Sequence, residues 1–218
     1  MTRPAPLLFD LDGTLVDTIE LLCQSMEFAF ADYDGPRPTR DQWIAGIGTT
    51  LRSQLLAFSR ESADLEWLIA RYRIYQTEHF ESMTAPYPGV TEVLTALHGA
   101  GHPLGVVTSK FHALARKVLD HVGYTPLFRV IVGGDSIENP KPHPEPVHFA
   151  LAQLGASPAQ TIFVGDSPHD IKSGNAAGVA TAACLWGPFD RPTLAAAAPT
   201  HWLTSIYELP ALARSHGR

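Results

Sequence analysis

Leu7-Leu8-Phe9-Asp10-Leu11-Asp12-Gly13-Thr14-Leu15-Val16-Asp17 is a short apolar run that ends in two carboxylates, a glycine and a threonine. The run from Leu7 to Phe9 is continuous rather than alternating, which predicts a strand buried on both faces of a parallel sheet. Asp10 and Asp12, spaced i and i+2 at the strand end, point to the same side. Gly13 lets the chain turn sharply away. Two carboxylates that close repel each other and stay ionised cheaply only around a cation. The stretch therefore points to a cation-assisted site at a strand end. The plainer alternative is a strand running into an Asp-rich turn.

Downstream of this strand the texture becomes helical. Ile19, Leu22, Cys23, Met26 and Phe30 recur at helical spacing and predict a helix over residues 17–33. Gly35-Pro36-Arg37-Pro38 is a loop, and Thr39 is placed to cap a short helix through Ala45. Leu51, Leu55, Leu56 and Phe58 predict another helix, and Leu65, Leu68, Ile69, Tyr72 and Tyr75 a long one ending near Met83. Such an insert can bury its own apolar stripes as a small bundle, or pack onto the sheet. Inside it, Gly46-Ile47-Gly48-Thr49-Thr50 does not follow a strand and so does not qualify as a dinucleotide fingerprint. It is either an interhelix turn or a loop whose N–H groups and hydroxyls meet a ligand.

From Tyr87-Pro88-Gly89 onward, helix and strand alternate, which calls for a doubly wound parallel sheet. The strands are predicted at 104–108, 128–132, 161–165 and 179–185. A short helix or loop is expected at 194–199 and a closing helix at 204–213. In open α/β sheets, ligands sit beyond the carboxyl ends of strands. Thr108-Ser109-Lys110 follows one such end, where a hydroxyl either donates to a ligand oxygen or caps the next helix. Asn139-Pro140-Lys141-Pro142-His143-Pro144-Glu145-Pro146 is too rich in proline to be helix or central strand. A lysine in so rigid a loop has a positioned head, suited to neutralising an anion as a point charge. Gly165-Asp166-Ser167-Pro168-His169-Asp170 ends the strand at 161–165 with two acids four apart around a turn.

Taken in order, these segments resemble the four motifs of the haloacid dehalogenase-like hydrolases, in their aspartyl-phosphatase branch and nearest to the phosphoglycolate-phosphatase type. Phe9-Asp10-Leu11-Asp12-Gly13-Thr14-Leu15-Val16-Asp17 looks like the first motif, and Thr108-Ser109 like the second, where Ser109 replaces a frequent Asn. Lys141-Pro142-His143-Pro144-Glu145-Pro146 looks like the third, and Gly165 to Asp170 like the fourth. The resemblance implies Asp10 as nucleophile, Asp12 as general acid/base, and Thr108, Ser109 and Lys141 as phosphate-binding residues. It implies Mg²⁺ on Asp10, the backbone carbonyl of Asp12 and Asp166, with Asp170 one step behind or bound through water. An Asp at position 12 favours phosphoryl transfer over dehalogenation. The resemblance also implies a core of residues 1–16 and 86–218 with a helical cap at 17–85. Gly48, Thr49, Thr50, Arg52 and Lys110 are candidates for substrate choice. Similar mutases carry a cap histidine and a cap-loop arginine where this chain has Leu22 and Thr49. The resemblance implies a small phosphomonoester as the expected substrate, with a pyrophosphatase or a sugar-phosphate phosphatase or mutase as rivals within the family and a non-catalytic phosphate- or protein-binding relative as the rival outside it.

Composition narrows the partners. A formal charge of −6 argues against a nucleic-acid surface, and 45% hydrophobic content is enough for a real core. No apolar run approaches the length of a membrane span. Met1-Thr2-Arg3-Pro4-Ala5-Pro6 leads straight into the first strand, so no signal peptide is expected. Cys23 and Cys184 lack metal-ligand spacing and read as buried hydrophobes in a reducing compartment. A cytoplasmic monomer or homodimer acting on a small phosphorylated metabolite is the expectation.

Overall fold

The computed structural model describes residues 4–216; the expectation drawn from Met1-Thr2-Arg3 lies outside them. β1 (Leu7–Phe9) and a two-residue strand β2 (Val16–Asp17) are followed by four helices: α1 (Ile19–Phe30), α2 (Arg40–Ala45), α3 (Leu51–Leu56) and α4 (Ser62–His79). The chain then passes through β3 (Ala85–Pro86) into α5 (Val90–Gly99), β4 (Leu104–Val107), α6 (His112–His121), β5 (Val130–Val132) and α7 (Glu145–Leu154). It closes with β6 (Ile162–Gly165), α8 (Pro168–Ala176), β7 (Ala180–Cys184), α9 (Arg191–Ala195), β8 (His201–Leu203) and α10 (Leu209–His216).

Six strands form one parallel sheet in the order β5-β4-β1-β6-β7-β8. Helices cover both faces, as expected of a doubly wound sheet. β1 lies at the reversal point, with Leu7 paired to Leu104 on one side and Ile162 on the other. Its unbroken apolar character follows from this position. Leu7 and Phe9 enter the larger apolar cluster with Val106 and Val164, while Leu8 enters the opposite one with Val107 and Phe163. Each such fully buried side chain contributes roughly 1.5–3 kcal/mol relative to exposure.

The helical excursion has a core of its own. Cys23, Met26, Phe30, Trp43, Leu55, Leu65, Leu68 and Tyr72 pack together between α1, α2, α3 and α4. α2 begins with a reciprocal capping box between Thr39 and Gln42, and Thr50 caps α3 by accepting from Ser53 N. The chain leaves and returns through an antiparallel ribbon that pairs Val16 with Pro86 and Asp17 with Ala85.

Four expectations need correction. The helix predicted over 17–33 runs only from Ile19 to Phe30, and the long one stops at His79 rather than near Met83. The short helix or loop expected at 194–199 is the end of a helix that begins at Arg191, where Asp190 caps it by accepting from Thr193 N, followed by a turn. The C-terminal segment holds an unforeseen strand: His201-Trp202-Leu203 pairs with Ala182–Cys184 at the sheet edge, and only after a 3₁₀ turn at Ile206–Glu208 does α10 begin. A three-residue, half-exposed edge strand carries too little periodicity to be read locally.

Candidate active site

The quoted residues converge at the carboxyl ends of the central strands. Asp10 and Asp12 leave β1, Thr108 to Lys110 leave β4, Lys141 stands on the proline-rich loop after β5, and Asp166 and Asp170 lie at the end of β6 and the start of α8. Lys141 Nζ is the hub. It lies 2.5 Å from Asp170 Oδ1 and 2.9 Å from Asp10 Oδ1, and its side chain is 1% exposed. It also donates to the Val107 carbonyl at 3.3 Å. Burial pulls the ammonium pKa down, but Asp10 and Asp170 outweigh that and raise it. It stays charged.

Asp170 has no free oxygen. Oδ1 takes Lys141, and Oδ2 accepts from Ser167 N at 3.0 Å and Ser167 Oγ at 2.6 Å. Ser167 in turn caps α8, with Pro168 in the first turn. The helix start thus fixes Asp170, and Asp170 fixes Lys141.

Asp166 is wired differently. Its Oδ1 accepts from Thr14 Oγ1 at 2.6 Å, while its Oδ2 is buried with no donor among the described residues. Gly13, at φ +85°, lies against that oxygen, and a Cβ there would come within 2.4 Å of it. Burial, then the charge of Asp170, pushes the Asp166 carboxyl well above the usual carboxylate range. Burial, with Asp170 adding to it and Lys141 opposing, pushes Asp10 up to about 7. Asp10, Asp166 and Asp170 each bring an oxygen within 4.8 Å of the others. Three buried acids against one lysine, with an orphaned oxygen, fit a hard divalent cation. Since both Asp170 oxygens are occupied, Asp10 and Asp166 are the acids free to ligate it, and Asp170 serves Lys141.

Asp12 sits beside this cluster and faces a cavity of about 230 Å³ roofed by α4 and the loop before α3. Its Oδ1 accepts from Thr18 Oγ1 at 2.6 Å and from Lys110 Nζ at 2.7 Å. Lys110, read from sequence as a candidate for substrate choice, is therefore an ion-pair partner of Asp12. Thr108 lines the cavity, buried, and its Oγ1 accepts from Lys110 N at 3.2 Å. Ser109 Oγ donates to the Gly48 carbonyl at 2.6 Å and so ties the floor to the roof. Gly48 adopts φ +98°, and a Cβ there would lie 2.5 Å from Ser167 Oγ, so the roof loop rests directly on the loop that starts α8.

The remaining roof residues divide. Gly48, Thr49 and Arg52 line the cavity, whereas Thr50 is absent from the lining and caps α3. Arg52 pairs with Glu66 Oε1 at 2.6 Å and is 58% exposed. Sequence reasoning missed Thr14, Thr18 and Ser167, which orient Asp166, Asp12 and Asp170. It also missed Arg73 and Gln76, which line the cavity from α4. Glu66, Ile69, Arg73 and Gln76 recur at helical spacing and mark that face once α4 is known to look into a cleft.

Residues 7–184 match the family model described as haloacid dehalogenase-like hydrolase. The chain belongs to that family. A protein from Bacillus pumilus named pyrophosphatase PpaX is 35% identical over 206 residues, covering 94% of each chain. Another PpaX, from Halalkalibacterium halodurans, is 40% identical over 176 residues, covering 81% of each. Among solved structures, "a predicted phosphoglycolate phosphatase" from Haemophilus somnus superposes with a TM-score of 0.86 at 27% identity, over 97% of this chain and 99% of that one. A haloacid dehalogenase-like hydrolase from Bacteroides fragilis, 24% identical with a TM-score of 0.85 over 95% and 100%, shares the fold. No helix of the described residues is long and apolar enough to cross a membrane.

Proposed function

We propose that this chain is a Mg²⁺-dependent phosphatase that hydrolyses small phosphorylated metabolites through an aspartyl-phosphate on Asp10, beneath a cap formed by residues 17–85. The observation that carries the reading is the convergence of Asp10, Lys141, Asp166 and Asp170 on one buried point, with Asp12 at the edge of the adjoining cavity. Asp10 and Asp166 would hold Mg²⁺, which when bound neutralises phosphoryl charge. Lys141 and Thr108 add a point charge and a hydroxyl for the phosphoryl oxygens.

The chemistry then falls to the two carboxylates. An Asp10 oxygen bonds to phosphorus as the bond from phosphorus to the leaving oxygen breaks. Asp12 passes its proton to that leaving oxygen. It then takes a proton from water, whose oxygen attacks phosphorus and frees Asp10. Thr18 and Lys110 both occupy Asp12 Oδ1, which leaves Oδ2 to carry the proton. A roof that closes over this point excludes bulk water, and the Ser109–Gly48 bond is one contact that would hold it there.

The cavity, at about 230 Å³, falls below the roughly 300–1,000 Å³ of sites for drug-sized ligands. That favours a substrate of pyrophosphate or phosphoglycolate size. The relatives at 35–40% identity are named pyrophosphatases, and the structural relative at 27% carries the phosphoglycolate phosphatase name. The higher identity puts pyrophosphate first. The test is phosphate release from pyrophosphate, phosphoglycolate and p-nitrophenyl phosphate by metal-stripped protein, with and without Mg²⁺. Activity is expected only with the cation, and kcat/KM ranks the substrates. Full activity after exhaustive chelation, or release from none of the three, would overturn the proposal.

A further inference from the structure

Three cations line the cavity: Arg52, Arg73 and Lys110. Arg52 has Glu66 and Lys110 has Asp12. Arg73 has neither. Its Nη1 donates to the neutral Gln76 Oε1 at 2.5 Å, its guanidinium lies 5.9 Å from the Phe111 ring centroid, and no carboxylate of the described residues closes an ion pair with it. Arg73 is half-buried and has no carboxylate partner among the described residues, and guanidinium is the side chain best shaped to take a carboxylate or phosphate in a forked grip.

Arg73 stands on α4, on the face that looks down on Asp12. Burial lowers its pKa, with Asp12 pulling the other way, and the two residues line the same cavity. Asp12 is the proton carrier for the leaving oxygen. The part of the substrate that departs therefore lies in the cavity that Arg73 also lines.

We infer that Arg73 is a specificity-determining residue that pairs with negative charge on the leaving group, so that the preferred substrates are phosphate esters or anhydrides whose leaving group is itself an anion. This rests on the proposed phosphatase reading. The same grip serves a carboxylate, as in phosphoglycolate, or a second phosphate, as in pyrophosphate.

The test compares kcat/KM for phosphoglycolate and pyrophosphate with that for 2-hydroxyethyl phosphate, whose leaving group is neutral. Arg73→Ala should lower the two anionic ratios by roughly 10- to 150-fold, the range of one lost charge-assisted hydrogen bond. Arg73→Lys should restore part of the loss. A fall confined to the pyrophosphate ratio identifies the anion as phosphate, and one confined to phosphoglycolate identifies it as carboxylate. An equal change on all three substrates, or none, overturns the inference and leaves the phosphatase reading standing. Should the variants misfold, the wild type supplies the contrast alone. It should prefer at least one of phosphoglycolate and pyrophosphate over 2-hydroxyethyl phosphate by about tenfold or more, and equal values for all three overturn the inference. Release from none of the three overturns the phosphatase reading itself, and the inference with it.

Discussion

Lys141 and Arg73 are two cations of one cleft, and the cleft treats them differently. Lys141, on the floor, is sealed from solvent and held by two carboxylates at 2.5 and 2.9 Å. Arg73, on the roof, has a neutral amide and the face of an aromatic ring. The floor charge is balanced within the protein, so it belongs to the fold as much as to the chemistry. The roof charge has no carboxylate partner among the described residues, which leaves it open to the anion that the inference assigns to it. The floor is therefore suited to handling what every phosphate substrate shares, and the roof to handling what differs between them.

Stability measurements can break this comparison. Lys141→Met keeps most of the stem but leaves Asp10 and Asp170 buried without their cation. Removing one partner of a buried pair costs about 3–5 kcal/mol, so denaturant unfolding at pH 7 should show a loss of that order. Arg73→Ala removes one hydrogen bond to an amide and should cost under about 1 kcal/mol. Similar losses in the two variants would mean that Arg73 is also a structural ion, and the contrast between floor and roof would fall.

A smaller effect sharpens the account of the floor. In the unfolded chain Asp10 ionises near the ordinary 3.8, whereas in the metal-free fold its pKa is about 7. Asp166 is raised in the same direction. Between those pH values the folded state binds more protons than the unfolded one. Its stability without metal therefore falls as pH rises through that window. A cation takes the place of those protons, so it should bind more tightly at pH 7.5 than at pH 5. Each tenfold gain in apparent affinity adds about 1.4 kcal/mol, or roughly 3–5 °C in Tm for a chain of this size. Thermal melts with and without Mg²⁺ should show a larger shift at pH 7.5. An equal shift at both values would mean that the cation does not compete for those carboxyls.

The same division explains what could be read from the chain. The floor was legible because Asp10, Lys141, Asp166 and Asp170 each sit in a short segment that resembles a family motif and whose local grammar is stiff: a buried strand end, four prolines around one lysine, a capped helix start. Thr14, Thr18 and Ser167 escaped because a hydroxyl that orients a carboxylate looks in sequence like any cap or turn residue. On the roof, α4 packs apolar residues against its own bundle while turning Glu66, Arg73 and Gln76 toward the cavity. Such a helix has polar residues on its cavity side as well as its solvent side and no clean stripe, so nothing local marks Arg73. Arg52 stood out for its closeness to Gly48, yet the helix that follows brings Glu66 to it. β8 was missed for the reason already given, and its loss from the reading did not disturb the site, which lies at β1, β4, β5 and β6.

The central claim is that Asp10 carries the phosphoryl group. Rapid acid quench of the Mg²⁺-loaded enzyme turning over its best substrate, followed by peptide mass spectrometry, tests it most directly. The account predicts acid-trapped phosphate on the peptide that contains Asp10, and none in Asp10→Asn. Phosphate on Ser167 or His169 instead, or turnover by Asp10→Asn at the wild-type rate, would contradict it.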